Sequence, residues 1–306
     1  MPMDRRTLLR GTGAAVAAGW IAGAAGARPA PRTGGTTMRR ELDLKLALGL
    51  GMIEAGGSLV EKLRLAREVG FDGVEMDCPN SFPDAEVAAA VRESGLPVHS
   101  VVDSVHWKST LSHADPAERE KGVRGLAAAI RGAKTYGASG VLLVPCVVGG
   151  EVTHEAAWER SVAGIRRVLP LAAELGIPIL VENVWNGFCY DPEGPVGQTA
   201  DRLAAYVDEI ASPWVGVYLD LGNHRKYADV DGWVRTLGRR IVKLHVKGYH
   251  REKGWTEIDQ GDIEWPAVRA ALVEIGFTGW ATAEVGGGDA ARLRQVLAQM
   301  RGVFGS

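Results

Sequence analysis

The sequence predicts an α/β protein, a single (β/α)₈ TIM barrel over residues 42–306. Three observations support this fold class. Short β-branched or apolar runs alternate with longer segments of helical period, most of those segments end at a glycine, and eight such units follow one another. A closed barrel fits eight units better than an open doubly wound sheet. The latter would require a G-x-G-x-x-G turn after its first strand, whereas Gly49-Leu50-Gly51 is followed by Met52-Ile53-Glu54.

The alternation places each element along the chain. The strands are expected at residues 45–52, 73–77, 97–103, 140–147, 178–182, 216–220, 241–246 and 280–285. The helices are expected at residues 59–69, 85–94, 117–136, 157–175, 199–211, 232–237, 265–275 and 290–303. A glycine in the left-handed C′ position is expected to end five of the helices, at Gly70, Gly95, Gly137, Gly176 and Gly276. This repeated helix–glycine–strand unit favours parallel strands joined by crossover helices.

Composition excludes several functional classes. Of 306 residues, 46% are hydrophobic and 24% charged, which is typical of a globular domain. Thirty-five basic against 37 acidic side chains give a net charge of −2, so overall charge provides no reason to bind nucleic acid. The 3 cysteines lack C-x-x-C spacing, so neither a disulfide framework nor a thiolate zinc site is indicated.

The N-terminus has the pattern of an export signal. Arg5-Arg6 precedes an apolar Gly/Ala-rich stretch that ends in Ala25-Gly26-Ala27, a small-x-small cleavage pattern. We therefore expect a twin-arginine signal peptide over residues 1–27, a linker over 28–41, and a periplasmic or other extracytoplasmic location. The alternative is a retained signal anchor. After cleavage, no stable membrane insertion is expected, because the stretch is short and only mildly hydrophobic.

The ends of the last four strands predict a metal site. Chemistry in such barrels sits at the C-terminal ends of the strands, and strands five to eight end at Glu182, Asp220, His245 and Glu284. Neighbouring strands are about 5 Å apart, so the four side chains can converge on one ion. Three carboxylates and an imidazole favour Mn²⁺, with Mg²⁺, Co²⁺ or Zn²⁺ as alternatives. A single Asp at a strand end could instead cap the following helix, and a single His could be a core residue with its hydrogen bonds made. Four metal-competent residues at the ends of consecutive strands argue for a metal site.

Five segments carry a family resemblance. They are residues 181–188, 219–223, 242–247, 260–265 and 279–284. The chain resembles the xylose-isomerase-like barrel superfamily of sugar isomerases and epimerases over roughly residues 42–303, and the first segment is similar to that of L-xylulose-5-phosphate 3-epimerase-type proteins. The resemblance implies that Glu182, Asp220, His245 and Glu284 coordinate the metal. It further implies that Glu182 and Glu284 face opposite sides of the substrate as a catalytic acid–base pair.

The resemblance also bears on substrate contacts. Arg251 lies six residues beyond His245, the spacing at which ketose 3-epimerases place a substrate-contacting arginine; its alternative is a solvated loop arginine. The chain departs from the family at Asn223, where many relatives have a histidine, and at Gly248, where an acid is common. The remaining candidate contacts near the strand ends, each with packing or core structure as its alternative, are Glu75, His106, Trp185, Asn223 and Lys247.

Together these features predict a metal-dependent sugar isomerase or epimerase. Proton transfer next to a carbonyl, through a cis-enediolate, would invert a carbon or exchange aldose and ketose. Export, and the lack of a Gly-rich phosphate loop, favour an unphosphorylated ketose or keto-sugar as the small-molecule partner. A lyase or dehydratase acting on keto-sugars or inososes, and a non-catalytic sugar-binding protein, remain the alternatives. A homo-oligomer is left open.

Overall fold

A closed barrel of eight parallel strands forms the centre of the molecule. The computed structural model describes residues 42–305; the expected signal peptide (1–27) and linker (28–41) lie outside them. The barrel strands are β1 (Leu44–Gly49), β2 (Gly73–Cys78), β3 (Val98–Asp103), β4 (Val141–Leu143), β5 (Ile179–Glu182), β6 (Val215–Asp220), β7 (Ile241–Val246) and β10 (Gly279–Ala283). They pair in chain order, and β10 closes the barrel against β1. The predicted fold class is confirmed.

Within residues 42–305, eight helices surround the barrel. They are α1 (Leu59–Val69), α2 (Asp84–Ser94), α3 (Pro116–Tyr136), α4 (His154–Leu175), α5 (Asp201–Ile210), α6 (Val230–Leu237), α7 (Trp265–Ile275) and α8 (Ala290–Phe304). The five glycines expected to end helices all adopt the left-handed conformation, which confirms that prediction. Several helices also begin as their sequence indicates. Ser58 forms a capping box with Glu61 at the start of α1, and Thr153 caps α4.

Three strands are shorter at their C-terminal ends than the sequence predicts. The expected strand at 140–147 stops at Leu143, because the Val144 amide donates to His106 Nδ1 and the Val147 amide to Ser112 Oγ. The first strand stops at Gly49 and continues as one 3₁₀ turn, Leu50–Met52. The last stops at Ala283, so Glu284 is the first residue beyond it.

A β-hairpin that was not predicted from the sequence follows β7. Strands β8 (Gly248–His250) and β9 (Gly254–Thr256) pair antiparallel directly after β7. A Cβ at Gly248 would lie 1.9 Å from the Glu257 carbonyl oxygen, so only glycine fits there. The acid that the family resemblance leads one to expect at this position therefore has no room there. The hairpin places Trp255 beside Lys247, which is 5.2 Å from the centre of its ring.

The barrel interior changes from apolar to charged towards the mouth. Leu142, Leu180 and Tyr218 form a small fully buried cluster inside it, separate from the larger core between strands and helices. Because inward-facing side chains recur every second residue, the positions following Leu180 and Tyr218 on the same face are Glu182 and Asp220. Among the described residues, no helix is both long and apolar enough to span a bilayer.

Candidate metal centre

Four neighbouring strands bring the predicted ligands together. Glu182 and Asp220 are the last residues of β5 and β6, His245 pairs with Asp220 across β6 and β7, and Glu284 follows β10. One ligand atom from each of the four lies within 4.8 Å of the others. Around the barrel their order is Glu284, His245, Asp220, Glu182, so the two glutamates are the outer members of the set. This arrangement presents three carboxylates and one imidazole to a common point.

The two oxygens of Asp220 have different surroundings. Its Oδ1 accepts hydrogen bonds from the backbone amides of Gly222, at 2.8 Å, and Asn223, at 2.6 Å. Its Oδ2 is buried and receives no hydrogen bond of acceptable geometry from the described residues, although Lys247 Nζ is 2.9 Å away. A buried carboxylate oxygen without a donor is costly unless a cation neutralises it. The residues therefore fit a divalent ion.

The electrostatics of the cluster also fit a divalent ion. Burial raises the pKa of Glu182, His245 opposes this, and the nearby Glu284 and Asp220 carboxylates add to it, so that the pKa lies at about 7. Burial also raises the pKa of Asp220, with Lys247 opposing it. Glu284 is half-exposed; burial raises its pKa, but His245 and Lys247 outweigh burial and hold the pKa well below its usual range. A bound cation would offset the repulsion among these clustered carboxylates.

The two ring nitrogens of His245 face different groups. Nδ1 lies 2.8 Å from Glu182 Oε1 and 3.0 Å from Glu284 Oε2, within the ligand cluster. Nε2 lies 2.7 Å from Oε1 of Glu75, a buried acid on β2. The structure thus places Glu75 against His245. The expected contact of Glu75 with sugar stays a prediction.

Asparagines fix the backbone between β5 and β6. Asn183 Oδ1 accepts from the Asp220 amide at 2.7 Å, and its Nδ2 donates to the Asp220 carbonyl at 2.9 Å. Asn223 Nδ2 donates in turn to the Asn183 carbonyl at 2.8 Å. This role of Asn183 was not predicted from the sequence. The sequence does contain a signal for this role, because Asn183 directly follows the strand-ending Glu182 and an amide there can bridge to the neighbouring strand.

Lys247 lies over the cluster beside an aromatic pair. Its Nζ is 2.7 Å from Glu284 Oε2 and 3.3 Å from Asn223 Oδ1. The rings of Trp255 and Trp185 stack with centroids 5.0 Å apart, and both side chains stay substantially exposed. Trp185 Nε1 donates to the Asn223 carbonyl. Lys247, Trp255 and Glu284 line one cleft of about 340 Å³, so the lysine and an indole face open space next to the carboxylates.

Two predicted substrate contacts make structural bonds. The Arg251 guanidinium donates to the Arg225 and Ala228 carbonyls and pairs with Asp229 at 3.0 Å, which braces the segment after β6. His106 Nδ1 accepts from the Val144 amide, and burial lowers its pKa to about 4. These bonds give both residues a role in holding loops at the mouth. Contact of either with sugar stays a prediction.

A second cleft opens at the mouth beyond β1 and β2, of which β1 is the barrel neighbour of β10. It encloses about 460 Å³ between the ends of β1 and β2 and is lined in part by Gly51, Lys62, Glu75, Asp77 and Asn80. Lys62 donates to the Ile53 carbonyl at 3.0 Å, and the half-buried Asp77 has a pKa raised by burial and by Glu75. The mouth is therefore open beyond β1 and β2 as well as beside Lys247 and Glu284.

Comparison with known proteins gives the family. Residues 63–302 match the family model described as xylose isomerase-like TIM barrel, so the chain belongs to that family. L-ribulose-5-phosphate 3-epimerase UlaE of Salmonella paratyphi A is 26% identical over 222 residues, 67% of this chain and 75% of the relative. The resemblance inferred from the five sequence segments is thereby confirmed.

Solved structures share the fold. An L-ribulose 3-epimerase superposes with a TM-score of 0.71 at 19% identity, over 86% of this chain and 95% of that one. The 3-keto-D-glucoside 4-epimerase YcjR from E. coli superposes with a TM-score of 0.70 at 17% identity, over 85% of this chain and 100% of that one. These relatives are sugar epimerases, members of the isomerase class, which agrees with the isomerase predicted from the sequence.

Proposed function

We propose that the protein is a divalent-metal-dependent sugar epimerase or isomerase that transfers a proton next to a carbonyl. The observation that carries this proposal is the ligand set itself. Four ligand atoms on consecutive barrel strands lie within 4.8 Å of one another, and Asp220 Oδ2 is buried with no aligned hydrogen bond from the described residues, with Lys247 Nζ 2.9 Å away. Glu182, Asp220, His245 and Glu284 would hold the ion, for which Mn²⁺ suits the donors best.

The two glutamates would carry the proton. When bound, a divalent ion supplies Lewis-acid polarisation of adjacent carbonyl and hydroxyl oxygens of a ketose. Glu182 and Glu284 approach the cluster from its two outer strands, β5 and β10, so a sugar between them has a carboxylate on each side. One removes the proton next to the carbonyl, which gives a cis-enediolate of the sugar, and the other returns a proton to the opposite face. Return to the neighbouring carbon by the same glutamate would give aldose–ketose exchange instead.

The substrate we propose is an unphosphorylated ketose or keto-sugar. A phosphate-binding site requires free cations or a helix N-terminus aimed at the ligand. In the two clefts at the mouth, the lysines that the structure describes are already engaged, Lys247 with Asp220 and Glu284 and Lys62 with the Ile53 carbonyl. The UlaE relative, by its name, acts on a phosphorylated pentulose. Export through the twin-arginine signal at Arg5-Arg6 also stays part of this proposal.

Substitution of the glutamates tests the proposed roles. Glu182→Gln and Glu284→Gln each remove a proton carrier but keep side-chain size, so epimerisation or isomerisation should fall about 10²–10⁴-fold. The assay is product formation from free and phosphorylated ketoses and from 3-keto-glycosides, with added Mn²⁺. Glu118→Gln, on the outer helix α3, is the matched control and should retain activity. Full activity in both site variants would contradict the acid–base roles, and turnover of phosphorylated sugars alone would contradict the substrate class.

A further inference from the structure

The His245 ring can ligate an ion through only one nitrogen. Nδ1 points into the cluster of carboxylates, whereas Nε2 points to Glu75 Oε1 at 2.7 Å. A neutral imidazole carries a proton on one nitrogen and a lone pair on the other. To donate its lone pair to a cation, Nδ1 must be unprotonated, so the proton must reside on Nε2. The group that faces Nε2 therefore selects the tautomer.

Glu75 is held rigidly at that position. It lies on β2, on the far side of His245 from Asp220 and Glu182, and only 4% of it is exposed. Its other oxygen, Oε2, is buried and receives no well-aligned hydrogen bond from the described residues. The hydroxyls of Tyr218 and Ser100 face the carboxylate. Burying an acid costs free energy, and the strong hydrogen bond of Glu75 is made to His245, a proposed metal ligand. Packing alone does not explain an acid at this position.

Tyr218 connects Glu75 to a polar chain inside the barrel. The Tyr218 hydroxyl lies 2.9 Å from Thr282 Oγ1, which lies 2.9 Å from His99 Nε2. His99 Nδ1 lies 3.2 Å from Lys243 Nζ, and the His99 ring stacks on Trp280 at 4.3 Å. Tyr218, Thr282, His99 and Lys243 are all at most 2% exposed. This bonded layer leaves the Tyr218 side chain little freedom to move away from Glu75.

We propose that Glu75 is the positioning residue of the metal centre: its carboxylate accepts the Nε2 proton of His245 and so presents the unprotonated Nδ1 to the ion. This inference rests on the proposed metal site and assigns Glu75 no contact with the ion. Partners of this kind fix the orientation of a ligand histidine and raise its basicity, and their loss typically lowers metal affinity about 10–100-fold. Glu75 then acts on the ion through His245 alone.

The test compares two substitutions with a matched control. Glu75→Ala removes the acceptor, and Glu75→Gln keeps an acceptor oxygen in an isosteric side chain. The control is Asp103→Asn, a change at an equally buried acid on β3 whose side chain accepts only from the Val105 amide among the described residues. Mn²⁺ affinity is measured by calorimetry for each full-length protein. The His245 tautomer is read from ¹⁵N shifts of histidine-labelled protein loaded with Zn²⁺, with the signal assigned through its loss in His245→Gln.

The expected result has two parts. Mn²⁺ should bind Glu75→Ala about 10–100-fold more weakly than wild type, while Glu75→Gln shows a smaller loss and Asp103→Asn none. The Nε2-protonated signal of His245 should persist in wild type and Glu75→Gln and be lost or mixed in Glu75→Ala. Wild-type affinity and an unchanged tautomer in both Glu75 variants would overturn this inference but leave the metal site standing. A wild-type protein that binds no divalent ion would overturn the proposed function, and this inference with it.

Discussion

At the scale of single residues, the two oxygens of Asp220 have different partners. Oδ1 is occupied by two backbone amides, and Oδ2 is buried without an aligned donor. Asp220→Asn should keep both amide bonds through its carbonyl oxygen but place an NH₂ group where the ion needs an acceptor. The variant should fold and lose Mn²⁺ affinity by about 100-fold or more, because the ligand charge is also lost. Equilibrium dialysis against Mn²⁺ measures this, and wild-type affinity would contradict the assignment.

A second acid, Asp103, links stability to pH. Burial raises its pKa to about 7, well above the ordinary 3.8. A carboxyl whose pKa is raised in the folded state stabilises the fold at acid pH, and this contribution is lost as the pH rises from about 4 to about 7. Asp103→Asn should therefore match wild type near pH 4 and exceed it by about 1–3 kcal/mol near pH 8. The asparagine oxygen can still accept from the Val105 amide.

Urea unfolding at the two pH values measures the difference. A constant offset between wild type and Asp103→Asn would show that the carboxyl does not titrate in the folded state as its burial indicates. A variant less stable than wild type at pH 8 would contradict the sign of the effect.

At the scale of elements, the β8–β9 hairpin shapes one wall of the mouth. Gly248 has no space for a Cβ, because Glu257 O and Thr256 Oγ1 would lie 1.9 and 2.6 Å from it. Gly248→Ala should displace the hairpin and with it Trp255, at a cost of about 1–3 kcal/mol in stability. For the sugar substrate, KM should rise more than kcat falls, because the ligands on β5 to β7 stay in place.

Gly232→Ala is the control for that change. Gly232 lies inside α6 and nothing would approach its added Cβ within 4 Å, so alanine should be neutral or slightly stabilising. Thermal unfolding and steady-state kinetics of both variants give the comparison. Equal stability and equal KM for the two variants would show that the hairpin does not shape the site.

Regular elements were predictable from the sequence because local patterns encode them. Helices α1 and α7 begin and end at the predicted residues, since their apolar period and C′ glycines are local signals. The early end of β4 was not predictable, because it depends on His106 and Ser112, which accept its amides from distant parts of the chain. The hairpin was missed because its strands are three residues each and flank a charged turn.

Part of the candidate site could likewise be predicted from the sequence, and part could not. The four ligands could be predicted because strand ends share one rim of a barrel. The bond from Glu75 to His245 could not, because β2 and β7 meet only across the barrel interior and are 170 residues apart at this contact. The loop bonds of Arg251 likewise depend on carbonyl groups that no sequence pattern marks.

At the scale of the whole molecule, the proposed metal ligands and the clefts for a substrate depend on different parts of the fold. Barrel closure fixes the ligand-bearing strands relative to one another, whereas the clefts depend on loops and on the hairpin. Family membership over residues 63–302 therefore supports the ligand set more strongly than any one sugar. The relatives named above differ in substrate within the same barrel.

The central claim is metal-dependent proton transfer next to a carbonyl, and solvent exchange tests it most directly. The purified protein with Mn²⁺ is incubated in D₂O with free ketoses and 3-keto-glycosides and followed by NMR. Deuterium should enter at the carbon next to the carbonyl, and EDTA or Glu284→Gln should abolish the exchange. Exchange that persists in EDTA, or a metal-loaded protein that exchanges no proton on any of these sugars, would contradict it.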